Sequence, residues 1–232
     1  NHVMSQLAHL LADQKRFVRD TAHQLRTPLA VLRTQLQSAQ RGDVAPAQAL
    51  QEMSGTVERA TQLANQMLAL AKVEQLRRQG VAPVVDWAEI VRAVALDLAP
   101  LIAEAQFDFD ILTQPAPVRA HEWALRELTR NLLHNAVKHS AASGQLAVHL
   151  ECNPRQALLR IRDSGPGISA ELRQRLFQPF ASGDPRSGSG LGLAICHEIV
   201  ATLGGEIRLD NRAEGGLDAI VGLPLADNGS HE

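Results

Sequence analysis

His23 lies in the heptapeptide Ala-His-Gln-Leu-Arg-Thr-Pro of residues 22–28, between Thr21 and Leu25 of an apolar helical seam. It therefore points away from that seam. A neutral imidazole held in solvent on a rigid helix is a competent nucleophile toward a phosphoryl group. Pro28 removes one backbone hydrogen bond and pushes against the carbonyl of Gln24, so a bend beside His23 is expected. Asp20 stands one turn before His23 on the same helical face, where a carboxylate could take the proton that an attacking imidazole loses; pairing with Arg16 is its simpler role.

A second constellation runs from Glu127 to Ser140, with Asn131 and Asn135 at i and i+4 and Lys138 three residues further on. One helical face thus carries two amides and an ammonium. Amide oxygens suit Mg²⁺, which takes hard oxygen ligands and shares them with nucleotide phosphates, and Lys138 meets phosphate charge directly. By itself the face could equally be a solvated one. Further on, Asp163-Ser-Gly165-Pro-Gly167 follows a strand-like run. Its glycines permit a tight turn, and its carboxylate can accept from an exocyclic amine such as adenine presents.

Gly188-Ser-Gly190-Leu-Gly192 opens an apolar helix, whose free N–H groups can hold phosphate. No Lys-Ser/Thr pair follows and no strand leads in, which excludes a P-loop and a dinucleotide fingerprint. Ahead of it, Phe177 and Phe180 anchor a small-residue loop over 181–187 that reads as a lid over a nucleotide.

The elements that must position these groups follow from hydrophobic period. Apolar or small residues recur at alternating three and four spacing from Leu7 through Val18, Leu25 and Leu32 to Ala39, giving one long amphipathic helix. Gly42, Asp43 and Pro46 break it, and a second heptad stripe runs from Leu50 to about Arg78. A hairpin cannot bury both apolar faces alone, so two copies should pair into a four-helix bundle and the chain should be a homodimer. After Gly80 the pattern changes. Strands are expected at Val84–Asp86, Phe107–Leu112, Gln145–Glu151, Ala157–Arg162, Glu206–Asp210 and Leu217–Gly222, with helices at Trp87–Ala105, Glu122–His139 and Leu191–Leu203. Helices gathered on one face of such a sheet make a two-layer α/β sandwich.

Composition fits two modest soluble domains: 232 residues, 45% hydrophobic, with 23 Lys and Arg scattered among 25 Asp and Glu for a net charge of -2. Nucleic acid is thereby excluded as a partner. Cys152 and Cys196 have neither metal-type nor redox-type spacing, which fits a reduced compartment. No apolar run approaches the roughly 18–20 residues that a membrane span needs. The chain opens at Asn1 directly in helical pattern, as a helix cut from something longer would.

Taken in order and spacing, these segments resemble the sensor histidine kinases of bacterial two-component systems, over about residues 1–225. Phe17–Leu29 resembles the family's phosphoacceptor box, Asn131–Lys138 its asparagine box, Asp163–Gly167 and Gly188–Gly192 its two glycine boxes, and Phe177–Phe180 its phenylalanine box. The resemblance implies ATP and Mg²⁺ as cofactors, with His23 as phosphoacceptor, Asn131 and Asn135 serving Mg²⁺ and phosphate, and Asp163 reading adenine. Lys138, Gly165, Gly167, Phe180, Arg186, Gly188, Gly190 and Gly192 complete the implied nucleotide site. Thr27 matches the position that family members use to hold water when they dephosphorylate a response regulator.

The same resemblance implies a division into the end of a membrane-proximal relay helix (1–15), a dimerisation and phosphotransfer hairpin (16–79), an ATP-binding domain (80–226) and a tail (227–232). It also implies a response-regulator receiver domain as partner and an inner-membrane parent of which this is a cytoplasmic portion. Gln24 stands where many members carry Glu and looks most like a tricarboxylate-sensing subgroup. A gyrase-like ATPase without phosphotransfer and a nucleotide-binding scaffold are the competing readings.

Overall fold

The structure, a computed structural model, describes residues 2–76, 81–181 and 190–226, with side chains from Arg19 onward except those of Asp20 and Glu74. Two compact units make up the chain, residues 1–68 and 69–232.

The first unit is built from α1 (His2–Arg41) and most of α2 (Pro46–Leu76), whose residues from Ala69 onward fall in the second unit. Gly42, at φ +78°, stops α1: its N–H donates to Ala39 O and that of Asp43 to Ser38 O, a Schellman arrangement that needs a left-handed residue. Pro46 then begins α2, where its missing N–H costs nothing. Ala49, Thr56, Leu63 and Met67 are buried along α2, whereas Leu29 (61%), Leu50 (66%) and Val57 (50%) remain exposed. Part of the heptad stripe is therefore uncovered in one chain, as the sequence pattern requires if a second copy is to cover it. α1 continues as one helical element through Pro28. No helix among the described residues is long and apolar enough to cross a membrane.

In the second unit, β1 (Val84–Asp86) leads into α3 (Trp87–Glu104), followed by β2 (Asp108–Thr113), β3 (Pro117–Arg119) and α4 (Glu122–His139). Then come β4 (Gln145–Cys152), β5 (Gln156–Asp163), the short α5 (Ala170–Arg173), α6 (Gly192–Thr202), β6 (Glu206–Asn211) and β7 (Leu217–Pro224). The main sheet has the order β2-β4-β5-β7-β6; β2 and β4 are parallel, joined through α4, and the other neighbours are antiparallel. Residues alternate in burial along β4 and β5, so Leu146, Val148, Leu150, Leu159 and Ile161 face the helix layer. There they meet Leu125, Leu128 and Leu133 of α4 and Ile195 and Ile199 of α6, all essentially inaccessible and each worth about 1.5–3 kcal/mol of burial. Trp87 is also fully buried and satisfies its indole N–H on Thr129 Oγ1 at 3.1 Å. Asp86 caps α3 through Ala88 N and ties Ala116 N with the same oxygen.

The helical hairpin and two-layer sandwich agree with the sequence. β3 and α5 are additions: β3 is three residues opening on a proline and α5 a single turn, both too short to carry a period. β3 pairs antiparallel with β1 in a small second sheet.

Candidate functional site

Asp163 ends β5 and is 5% exposed, at the edge of a pocket lined by α4, the turn after β5, α5, α6 and β7. Its Oδ1 accepts from Gly165 N at 2.7 Å and Leu217 N at 3.2 Å. No described residue donates to Oδ2. Burial pushes the carboxyl above its usual value, while the two backbone N–H bonds and the nearby charges of His139 and Arg212 oppose that rise. The surrounding walls are apolar, among them Leu132, Ile168, Leu193 and Leu209. An apolar slot with one fixed acceptor suits a flat heteroaromatic ring bearing an exocyclic amine.

The turn is shaped by close approach. A Cβ on Gly165 would stand 2.8 Å from His139 O, and one on Gly167, at φ +73°, would stand 2.8 Å from Asn211 Oδ1. Asn211 clips the turn to β6 by accepting from Ile168 N and donating to Ile168 O, both at 2.8 Å. Arg212 Nη1 donates to the carbonyl of Asp163 at 3.1 Å.

α4 supplies the amide face. Asn131 Nδ2 donates to the carbonyl of Glu127 at 2.9 Å and to Glu127 Oε1 at 2.8 Å, which leaves Oδ1 as the open atom. Gly192, the first residue of α6, lies where a Cβ would be 3.0 Å from that Oδ1. Asn135 and His139 both line the pocket. Desolvation holds His134, Lys138 and His139 below their usual values, and for both histidines the charge of Lys138 adds to this. An amide oxygen beside a helix N-terminus fits a magnesium–phosphate group in the chemistry of its donors.

Phe180, at φ +64°, donates its N–H to Gly190 O at 3.1 Å, and Gly190 is itself left-handed at φ +69°. Phe177 stacks on His197 of α6 with ring centres 5.0 Å apart. Among the nucleotide-site residues expected from the sequence, Asn131, Asn135, Lys138, Asp163, Gly165, Gly167, Phe180, Gly190 and Gly192 all lie in the second unit. Arg186 and Gly188 lie outside the described residues, as does the side chain of Asp20.

His23 belongs to the first unit and is exposed on α1, with Gln24 and Thr27 exposed beside it. Thr27 Oγ1 donates to His23 O at 3.3 Å, so its hydroxyl proton is turned into the helix. Glu127, His139, Asn211, Arg212, Gly216 and Leu217 were not expected at the site. Gly215-Gly216 is a visible turn signal; the bonds of Asn211 and Arg212 join residues 43 and 49 apart in sequence, which no local pattern reveals.

Residues 13–76 match the family model described as the His Kinase A phospho-acceptor domain. Residues 120–227 match the one described as the histidine kinase-, DNA gyrase B- and HSP90-like ATPase. The sensor protein kinase PmrB of Pseudomonas aeruginosa is 34% identical over 230 residues, covering 97% of this chain and 48% of that protein. The chain thus spans about half the length of the curated relatives it matches. Among solved structures, the histidine kinase AdeS of Acinetobacter baumannii aligns with a TM-score of 0.72 at 26% identity, over 89% of this chain and 98% of that one. The mycobacterial sensor histidine kinase MprB is 31% identical with a TM-score of 0.57, over 62% of this chain and 98% of its own.

The chain belongs to the sensor histidine kinases of bacterial two-component systems. Within that family it is the part that joins a phospho-acceptor helical hairpin to an ATP-binding sandwich.

Proposed function

We propose that this chain moves the γ-phosphoryl group of ATP onto His23 and from there onto an aspartate of a response regulator. The observation that carries the reading is the exposed His23 on a phospho-acceptor hairpin, in one chain with a pocket whose single buried carboxylate is fixed by two backbone donors.

Asp163 accepts from the adenine amine through Oδ2, and the apolar walls exclude water from the ring. The amide oxygen of Asn131, with Asn135 and Lys138, holds the phosphates and Mg²⁺, which supplies neutralisation of the charge that gathers on the leaving diphosphate. A ring nitrogen of His23 attacks the γ-phosphorus in line, the bond from that phosphorus to the bridging oxygen breaks, and ADP leaves with the bond's electron pair. The second ring nitrogen gives up its proton, leaving a neutral phosphoimidazole ring. Asp20, three residues before His23 in sequence, is the acid that receives it, since Gln24 can accept a hydrogen bond but takes no proton.

Two copies pair through the hairpin, whose exposed Leu29, Leu50 and Val57 supply the apolar seam. The parent is a membrane-anchored receptor, with this chain on its cytoplasmic side, and Thr27 positions water when the regulator is dephosphorylated. Residues 16–79 and 80–226 are the corresponding functional divisions.

Incubation with γ-labelled ATP tests the reading. Acid-labile, base-stable label on the protein is the expected result. Free phosphate without labelled protein would make it an ATPase, and neither product would make it a scaffold.

A further inference from the structure

We propose that Glu127 is a positioning residue that decides which atom of Asn131 faces the nucleotide phosphates, and so how tightly Mg²⁺ is held there. The inference deepens the reading above and rests on Asn131 being a Mg²⁺ ligand.

Glu127 and Asn131 sit one turn apart on α4, and both hydrogen bonds between them run the same way, from Asn131 Nδ2 to the carbonyl and to Oε1 of Glu127. A carboxamide nitrogen carries two protons, so its donor capacity is spent. Turning the amide over would set its oxygen against a carbonyl oxygen and a carboxylate, three acceptors with no proton among them. Glu127 therefore selects the orientation through the hydrogen bonds that its oxygens accept. What remains for the ligand is Oδ1, on the side of Gly192 at the N-terminus of α6. That atom can coordinate a cation or accept a hydrogen bond; it cannot donate to phosphate.

Asn135, one turn on, makes no side-chain hydrogen bond among the described residues and lines the pocket, so neither end of its amide is committed. The two asparagines are thus not equivalent. Asn131 is committed in advance to the metal, whereas Asn135 can turn either end to a phosphate oxygen or a water. Fixing a ligand's orientation through its outer partner is a strong lever, and losing such a partner typically weakens metal affinity by about 10–100-fold.

The experiment is a Mg²⁺ titration of binding of a fluorescent ATP analogue, in the parent chain and in Glu127→Ala, Glu127→Gln and Asn131→Ala. The parent, Glu127→Ala and Glu127→Gln should bind the analogue alike in EDTA, within about twofold, and circular dichroism reports that all four proteins are folded. In Glu127→Ala the Mg²⁺ concentration giving half the metal-dependent gain should rise about tenfold or more. Glu127→Gln should return to within about threefold of the parent, because its carbonyl oxygen accepts the same N–H. If Asn131→Ala leaves the Mg²⁺ dependence unchanged, the ligand role of Asn131 fails and this proposal with it. A shift in Asn131→Ala with none in Glu127→Ala overturns the positioning role alone. Glu127→Gln behaving as poorly as Glu127→Ala would mean that charge or proton transfer, not the hydrogen bond, is what Glu127 supplies, and that also overturns it.

Discussion

Gly216, at φ +96°, lies directly against the backbone carbonyl of Asp163, so closely that a Cβ at that position would collide with the oxygen. The next residue, Leu217, gives its N–H to the Asp163 carboxylate. The start of β7 is thus a mould for the main chain and the side chain of one acid.

Gly216→Ala should therefore damage the site and the unit together. A left-handed alanine costs about 1–2 kcal/mol and the overpacked contact about 1–3 more, so the variant should unfold several degrees below the parent. Calorimetry reads the stability, and titration with the fluorescent nucleotide should show affinity reduced by about tenfold or more. Parent-like values in both would mean that the Leu217 bond is not what holds Asp163 in place.

Asp163→Asn separates binding from stability. Gly165 N and Leu217 N both need an acceptor, so the amide oxygen must take the place of Oδ1 and the amide nitrogen must face the pocket. A donor then meets the adenine amine, and ATP affinity should fall about 10–100-fold. The pH dependence of stability runs the other way. Because burial raises the Asp163 carboxyl above its ordinary 3.8, the folded chain holds that proton more readily than the unfolded chain. Its contribution favours folding in acid and is lost as pH rises through the folded value, which leaves an ionised buried carboxylate as a cost at neutrality. Without nucleotide, Asp163→Asn should melt at or above the parent temperature at pH 7.5, and the gap should close as pH falls toward 3.8. A variant that melts below the parent at neutral pH contradicts this.

His23→Ala should carry no acid-labile phosphate yet bind nucleotide as the parent does. The residue is exposed and makes no side-chain hydrogen bond among the described residues, so its loss removes chemistry alone. Labelling followed by acid and base treatment decides the matter.

Gln24→Glu should speed the phosphorylation step without altering nucleotide affinity, since a positioned base contributes roughly 10²–10⁴ in rate and Gln24 takes no proton. Asp20→Asn should slow it. Single-turnover labelling at saturating ATP is the measurement, and a Gln24→Glu rate equal to the parent's would show that proton removal does not limit the reaction.

The hairpin was legible because a seam of three-four spacing over some thirty residues has only one helical solution, and β4 and β5 because His149, Glu151, Arg160 and Arg162 interrupt their apolar residues at every second place. The amide face of α4 was equally plain, since i and i+4 are neighbours on any helix. What stayed hidden was the support. Glu127 reads as an ordinary surface acid until its carboxylate is found on Asn131, and Asn211 as an ordinary strand end until its amide is found around Ile168. Such partners are chosen by tertiary approach, in the second case across 43 residues, and leave no local period.

The bond from Phe180 N to Gly190 O ties the aromatic segment to the residue two before α6, and the stacking of Phe177 on His197 ties it again one turn further along that helix. Two fastenings at different heights remove a hinge that one alone would leave. The aromatic pair and the first turns of α6 therefore shift together or not at all, and Gly192 keeps its station beside Asn131 only while both hold.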